Sequence, residues 1–207
     1  MDKIGLVTDS GCDLPPEVRQ EYGIEVVPLT VHFGTEVYLD EELTVDEFWE
    51  KAAGPHYPRT SQPAVGEFEV AFERLASQGK RALCVTITGK HSGTINSAHA
   101  AAQRFGGAVQ VFDSYSLSLG QGIQVLSAAR AAASGHSMQE ILDMLADLRQ
   151  RMRLLIVLDT IENLRRGGRA AAFIAVAERM TRALNIKIII ELVEGHLRLM
   201  GAARSFK

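Results

Sequence analysis

The sequence has little of what metal and disulfide chemistry needs. Only two of its 207 residues are cysteine. Cys12 and Cys84 stand alone, outside any CxxC or CxxH spacing, so neither a disulfide framework nor a zinc knuckle is indicated. The histidines, at positions 32, 56, 91, 99, 136 and 196, form no HxxxH or HExxH pattern, which argues against a catalytic metal. GxxxxGK[ST] and GxGxxG loops are missing, and with them those two devices for holding a nucleotide. No apolar run approaches the ~20 residues of a membrane span. Charge of one sign is lacking too: 22 Lys and Arg oppose 25 Asp and Glu for a net charge of -3, so overall electrostatics suggests neither nucleic acid nor an anionic membrane as partner. The chain runs from Met1 straight into a strand pattern with no signal peptide before it, so the expected location is cytoplasmic.

What is present is the composition of an ordinary globular protein, 46% hydrophobic and 23% charged. Its organising stretch runs from Arg81 to Ala98. Arg81 to Ile87 has the β-branched character of a buried strand, and from Ser92 onward small residues recur at helical spacing. Between them lies Thr88-Gly89-Lys90-His91-Ser92-Gly93-Thr94. A turn at the carboxyl end of a strand and the amino end of a helix gathers backbone N–H groups and the positive end of the helix dipole, so it suits an anion. Ser92 or Thr94 acting only as a helix cap is the plainer reading. A second hydroxyl-rich turn upstream, Thr60-Ser61-Gln62-Pro63, favours a ligand.

Ile4 to Asp9 reads as a buried strand ended by Ser10-Gly11-Cys12-Asp13, and Pro15-Pro16 opens a short helix. Glu25 to Phe33 suggests one strand, with Val37 to Leu39 as its return. Thr44 and Glu47 form a capping box for the next helix, Gly54 to Pro63 reads as loop, and Val65 to Gln78 as helix. After the organising stretch come a strand at Val109 to Phe112 and helices over Leu117 to Ala133 and Ser137 to Arg151. Strands alternating with helices predict a parallel α/β sheet with sites at the carboxyl ends of its strands. The pattern changes near Arg151. A strand at Arg153 to Leu158, a helix over Ala171 to Ala183 and a hairpin over Ile186 to Arg204 predict the beginning of a second, antiparallel α/β unit. The expected domains are residues 1–152 and 153–207.

Ser92 lies in no GxSxG elbow, and the sequence names no base for it, since His91 and Ser92 as neighbours in a turn point apart. Asp9 and Asp113 both end strands on the carboxyl edge of the sheet. There they can do acid–base work or bind magnesium, or merely cap the turns that follow. Arg165-Arg166-Gly167-Gly168-Arg169 is either the end of a helix or a cationic clamp for an anion, and sequence leaves the two equal.

Val7-Thr8-Asp9-Ser10-Gly11-Cys12-Asp13-Leu14, Arg59-Thr60-Ser61-Gln62-Pro63, Ser92-Gly93-Thr94 with Asn96-Ser97-Ala98, Asp113-Ser114, and Leu164-Arg165-Arg166-Gly167-Gly168-Arg169 occur in that order. This series resembles the DegV family of bacterial fatty-acid-binding proteins across nearly the whole chain. The resemblance implies two α/β domains with a long-chain fatty acid between them, no cofactor, and no catalysis by the carrier itself. It implies as partner a separate ATP-binding subunit of a fatty acid kinase, which makes the acyl-phosphate. By the same resemblance Thr60, Ser61, Ser92, Gly93 and Thr94 surround the carboxylate, while Arg169, Arg204 and His91 contact lipid or kinase. Ile95 replaces the tyrosine usual after Ser-Gly-Thr, and His91 replaces a residue that is commonly apolar. Family members run on past position 207 to complete the second domain and supply a further histidine, so this chain resembles a truncated member. The rival expectation is a phosphotransferase or hydrolase using Asp9, Asp113 and the arginines on a phosphorylated substrate.

Overall fold

The computed structural model describes residues 3–166, 174 and 187–203. Four parallel strands form the central sheet: β1 (Lys3–Asp9), β2 (Glu25–Val27), β6 (Lys80–Thr86) and β7 (Val109–Asp113), in the order β2-β1-β6-β7. Because strand side chains alternate between faces, β6 sends Leu83 and Val85 to one side and Ala82 and Cys84 to the other. The first side is covered by α5 (Ser118–Ala133) and α6 (Met138–Arg151), through Val125, Ile141 and Leu145. The second is covered by α3 (Val65–Ser77) and α4 (Thr94–Ala102), through Phe68, Phe72, Ala98 and Ala101. Each large apolar side chain removed from water contributes roughly 1.5–3 kcal/mol. Two buried clusters thus hold a three-layer α/β/α arrangement, as the alternating sequence pattern predicts.

A smaller antiparallel sheet, β4-β3-β5, stands beside it, built from β3 (Thr30–Phe33), β4 (Glu36–Leu39) and β5 (Arg59–Ser61). Two sequence expectations are corrected here. The single strand expected over Glu25 to Phe33 is two strands in two different sheets, β2 and β3. Pro28 lies at the break, and proline has no N–H to give to a ladder. The segment expected to be loop from Gly54 to Pro63 contains β5, which pairs Thr30 with Ser61, Val31 with Thr60 and His32 with Arg59. All three β5 residues are exposed and carry no apolar periodicity, so only the edge of β3 makes them a strand.

α1 (Pro16–Tyr22) connects β1 to β2, and α2 (Val45–Ala52), begun by the expected capping box of Thr44 and Glu47, lies between β4 and β5 in the chain. Beyond α6 a third sheet, antiparallel in the order β10-β9-β8, joins β8 (Leu154–Leu158), β9 (Lys187–Val193) and β10 (His196–Ala203). The short α7 (Glu162–Arg166) follows β8, and Leu164 packs with Ile156, Ile188, Ile190 and Leu197 in a third cluster. Arg153 on the approach to β8 forms an ion pair with Glu191 of β9. The β9–β10 turn sits on the organising turn of the central sheet. Gly195, at φ +78°, leaves no room for a side chain, because a Cβ there would lie 2.5 Å from Thr88 Oγ1 and 2.8 Å from Lys90 Cγ. The helix expected over Ala171 to Ala183 lies outside the described residues, apart from Ile174. Among the described residues, no helix is long and apolar enough to cross a membrane.

Candidate functional site

The two hydroxyl-bearing turns of the sequence meet at one cavity of about 320 Å³, where Thr60, Ser61 and Gln62 face His91 and Ser92. β5 carries Thr60 and Ser61 to it, and the turn after β6 carries His91 and Ser92. Leu29, Ile87, Leu117, Leu164 and Leu197 supply an apolar wall, and Gly11 and Asp40 complete it. Leu164 belongs to α7 and Leu197 to β10, so the third sheet and its helix close one side while the central and small sheets make the others. A small number of placed polar groups in an otherwise apolar pocket is what fixes the orientation of an amphipathic ligand.

The turn itself is held by its own groups. His91 and Ser92 both donate their backbone N–H to Thr88 O, at 3.3 and 3.2 Å, and Thr94 donates its N–H to Ser92 Oγ at 3.3 Å. Ser92 Oγ lies 2.8 Å from Thr94 Oγ1. These backbone N–H groups are therefore engaged, and side-chain hydroxyls rather than the start of α4 face the cavity. Gly93 and Thr94 support that arrangement from outside the lining. Thr94 is fully buried, and a Cβ on Gly93 would fall 1.8 Å from Gln62 Oε1. The close approach lets Gln62 reach past Gly93 and donate from Nε2 to Ser97 Oγ at 2.9 Å. Gln62 thereby ties the upstream turn to α4.

His32 is the residue whose place the sequence does not disclose. Its Nε2 lies 3.0 Å from Ser61 Oγ and 3.1 Å from Thr30 Oγ1. The β3–β5 register creates this contact, and that register has no sequence signature.

Asp9 and Asp113 are committed to backbone. Asp9 Oδ1 accepts from Gly11 N at 3.1 Å and Oδ2 from Ile87 N at 2.8 Å. Asp113 Oδ1 accepts from Tyr115 N at 2.9 Å and Oδ2 from Gly89 N at 3.1 Å. Each fastens the turn that follows its strand, which is the capping role, and neither lines the cavity. Burial pushes the Asp9 carboxyl up from 3.8 to about 6, against the opposing bonds from Ile87, Gln121 and Gly11. Ser10 extends the same framework. It accepts from Leu29 N at 2.9 Å and donates to Asp40 Oδ2 at 2.6 Å, and burial raises the Asp40 pKa above the ordinary value. Asp9 and Ser10 together anchor Gly11, Ile87, Leu29 and Asp40, four residues of the cavity wall.

Of the cationic motif, Arg165 and Arg166 end α7, and both pair with Glu162, at 2.7 and 2.5 Å. Arg166 also lies over the Tyr57 ring, 5.1 Å from its centroid. Arg169 and Arg204 lie outside the described residues. No group of three or more His, Cys, Asp or Glu among the described residues is arranged to hold a metal ion.

A three-layer α/β unit joined to antiparallel sheets, with a hydroxyl-edged apolar cavity lined from several of them, defines an α/β protein built on a parallel central sheet. The profile of the family described as "Uncharacterised protein, DegV family" matches residues 3–207, and the chain belongs to the DegV family. A DegV domain-containing protein of Listeria monocytogenes is 37% identical over 210 residues, a match covering 100% of this chain and 74% of that one. Among solved structures, a fatty-acid-binding DegV family protein from Thermus thermophilus superposes with a TM-score of 0.89 at 37% identity, over 98% of this chain and 72% of that one. The Fatty Acid Kinase B3 protein of Streptococcus pneumoniae, solved loaded with linoleic acid, gives a TM-score of 0.83 at 26% identity, over 99% and 74%.

Proposed function

We propose that this chain is a fatty-acid carrier that catalyses no reaction itself. It holds a long-chain fatty acid between units 1–152 and 153–207 and presents the carboxylate to a separate ATP-binding kinase subunit. The observation that carries the reading is the cavity: five apolar side chains from both units, and hydroxyls from strand β5 and from the turn after β6 at one place. Such a pocket matches both parts of the ligand. Each buried methylene contributes about 0.8 kcal/mol. An ionised carboxylate taken from water without donors is costly, and the hydroxyls of Thr60, Ser61 and Ser92 offer donors to it. Gly93 and Thr94 act through the turn rather than by contact. His91, on the lining, together with Arg169 and Arg204, is assigned to the lipid or kinase-facing side. The ligand is the fatty acid itself, with no resident cofactor, and the setting is cytoplasmic. The fatty-acid ligands of the Thermus and Streptococcus relatives support the same reading.

The direct experiment is denaturing extraction of the purified protein followed by lipid mass spectrometry. A near-stoichiometric fatty acid is expected. An empty extract, with no uptake of added palmitate or oleate, overturns the reading. Asp9 and Asp113 each accept backbone N–H bonds and neither lines the cavity, which favours the carrier over a phosphotransferase.

A further inference from the structure

Asp9 ends β1, one of the two inner strands of the central sheet, and is fully buried, yet it touches neither Thr60, Ser61 nor Ser92 in the hydrogen bonds described above. Its two oxygens reach in different directions. One takes the N–H of Gly11, at the end of its own strand, and the other takes the N–H of Ile87, just beyond the neighbouring strand. Gly11 and Ile87 both line the cavity. A carboxylate can accept at both oxygens simultaneously, whereas a carboxylic acid keeps one oxygen as an O–H donor and accepts there less well.

The surroundings can accommodate either form. Gln121 of α5 is fully buried; its Nε2 donates to Thr8 Oγ1 at 3.0 Å, its amide also acts on the Asp9 carboxyl, and its Oε1 has no hydrogen-bond partner among the described residues. Asp9 Oδ1 and Gln121 Oε1 lie 2.9 and 3.7 Å from the same point beside Gly11, the place a Cβ would occupy. A half-turn of the amide presents either its N–H₂ to a carboxylate or its oxygen to a carboxylic acid. The neighbours that act on the Asp9 carboxyl, Ile87, Gln121 and Gly11, are neutral. Val27 is the β2 residue opposite Asp9, Gln121 is neutral, and Cys12 and Cys84 are the titratable neighbours that feel its charge. Burial raises both thiols, so both stay neutral where Asp9 titrates.

We propose that Asp9 is a positioning residue for the lipid cavity: as a carboxylate it clamps the Gly11 and Ile87 segments of the wall at a fixed spacing, and on taking a proton it releases the Gly11 side to Gln121 and loosens the pocket. The inference rests on the fatty-acid reading for its consequence, lipid retention, but not for the clamp itself. Burial brings the change of state to about pH 6, within reach of ordinary acidification.

Two measurements test it separately. In the lipid-free wild-type protein, backbone amide NMR shifts of Gly11 and Ile87 are expected to titrate together between pH 5 and 7, and to lose that titration in Asp9→Asn. Flat shifts in the wild type overturn the clamp whatever the protein binds. The second is the dissociation rate of a fluorescent fatty acid at pH 5.0 and 7.5. The Asp9→Asn to wild-type ratio cancels titration of the ligand's own carboxyl, and it is expected to be 5-fold or more at pH 7.5 and close to one at pH 5.0. An equal ratio at both pH values overturns the positioning role. Absence of binding by either protein, with the amide titration intact, would instead remove the fatty-acid reading and leave the clamp standing. If Asp9→Asn does not fold, the wild-type amide titration decides alone.

Discussion

Thr60, from strand β5, and Ser92, from the turn after β6, reach one cavity from places far apart in the chain, and each brings one hydroxyl. A hydrogen bond to a charged group contributes about 1.5–3 kcal/mol. Thr60→Ala and Ser92→Ala are therefore each expected to weaken oleate binding by roughly 10- to 100-fold in calorimetric titration, with the melting temperature of the lipid-free protein little changed for the Thr60 variant. If both variants keep normal affinity, the carboxylate lies elsewhere. Asp9 makes a stability prediction of its own. Its carboxyl is raised from 3.8 to about 6 in the folded protein, so between those pH values the folded chain holds a proton that the unfolded chain has released. The site's contribution to stability is thus full below pH 4 and is lost as pH rises through 6. The shift corresponds to about 3 kcal/mol. Urea unfolding at pH 4.0 and 7.0 should show wild type losing about that much stability relative to Asp9→Asn.

At the scale of elements, the joint between β5 and α4 depends on a missing side chain. Gln62 crosses Gly93 to reach Ser97, in space that a Cβ would take. Gly93→Ala is expected to destabilise the fold by about 1–3 kcal/mol. Shortening Gln62 to Ala in the same chain should recover part of that loss, because the two groups compete for one volume. A double-mutant cycle by urea unfolding measures the coupling, and independent, additive effects would show that the crossing is unimportant. Helix starts are more local matters. Ser137 caps α6 with its Oγ on Glu140 N while Glu140 reaches back to Ser137 N. Ser137→Ala should cost about 1 kcal/mol in unfolding free energy without altering lipid binding.

On the scale of the whole molecule, the cavity belongs to no single sheet. Leu117 comes from beside the central sheet, Leu29 from beside the small one, and Leu164 and Leu197 from the third sheet and its helix. A ligand gripped by all of them binds only when they are assembled, so it stabilises the assembly by mass action, by about 2.7 kcal/mol at 100 times its dissociation constant. Oleate should therefore raise the melting temperature measured by calorimetry, and a mid-chain alcohol without a carboxylate should raise it less. Equal stabilisation by both would remove the hydroxyls from the account of affinity.

The central sheet and its helices were legible in the sequence because their signals are local: β-branched runs of strand length, helical spacing of Phe68, Phe72 and Leu75, and the Thr44–Glu47 box. The hydroxyl turn after β6 was legible for the same reason, and the ordered motifs identified the family, but Thr60 and Ser61, read as a turn, lie in β5. Contacts between distant segments were not. β5 is a strand only because β3 offers an unpaired edge, and Pro28 divides what reads as one strand between two sheets. His32 meets Ser61 through that register alone, and Asp9 reaches Ile87 only across adjacent strands. By itself the sequence determined which residues carry hydroxyls, where helices begin and which faces are apolar, since propensity and periodicity act over a few residues. The tertiary structure decided which of those groups face the cavity and which are spent holding its wall, because pairing and packing join residues whose separation along the chain leaves no local trace.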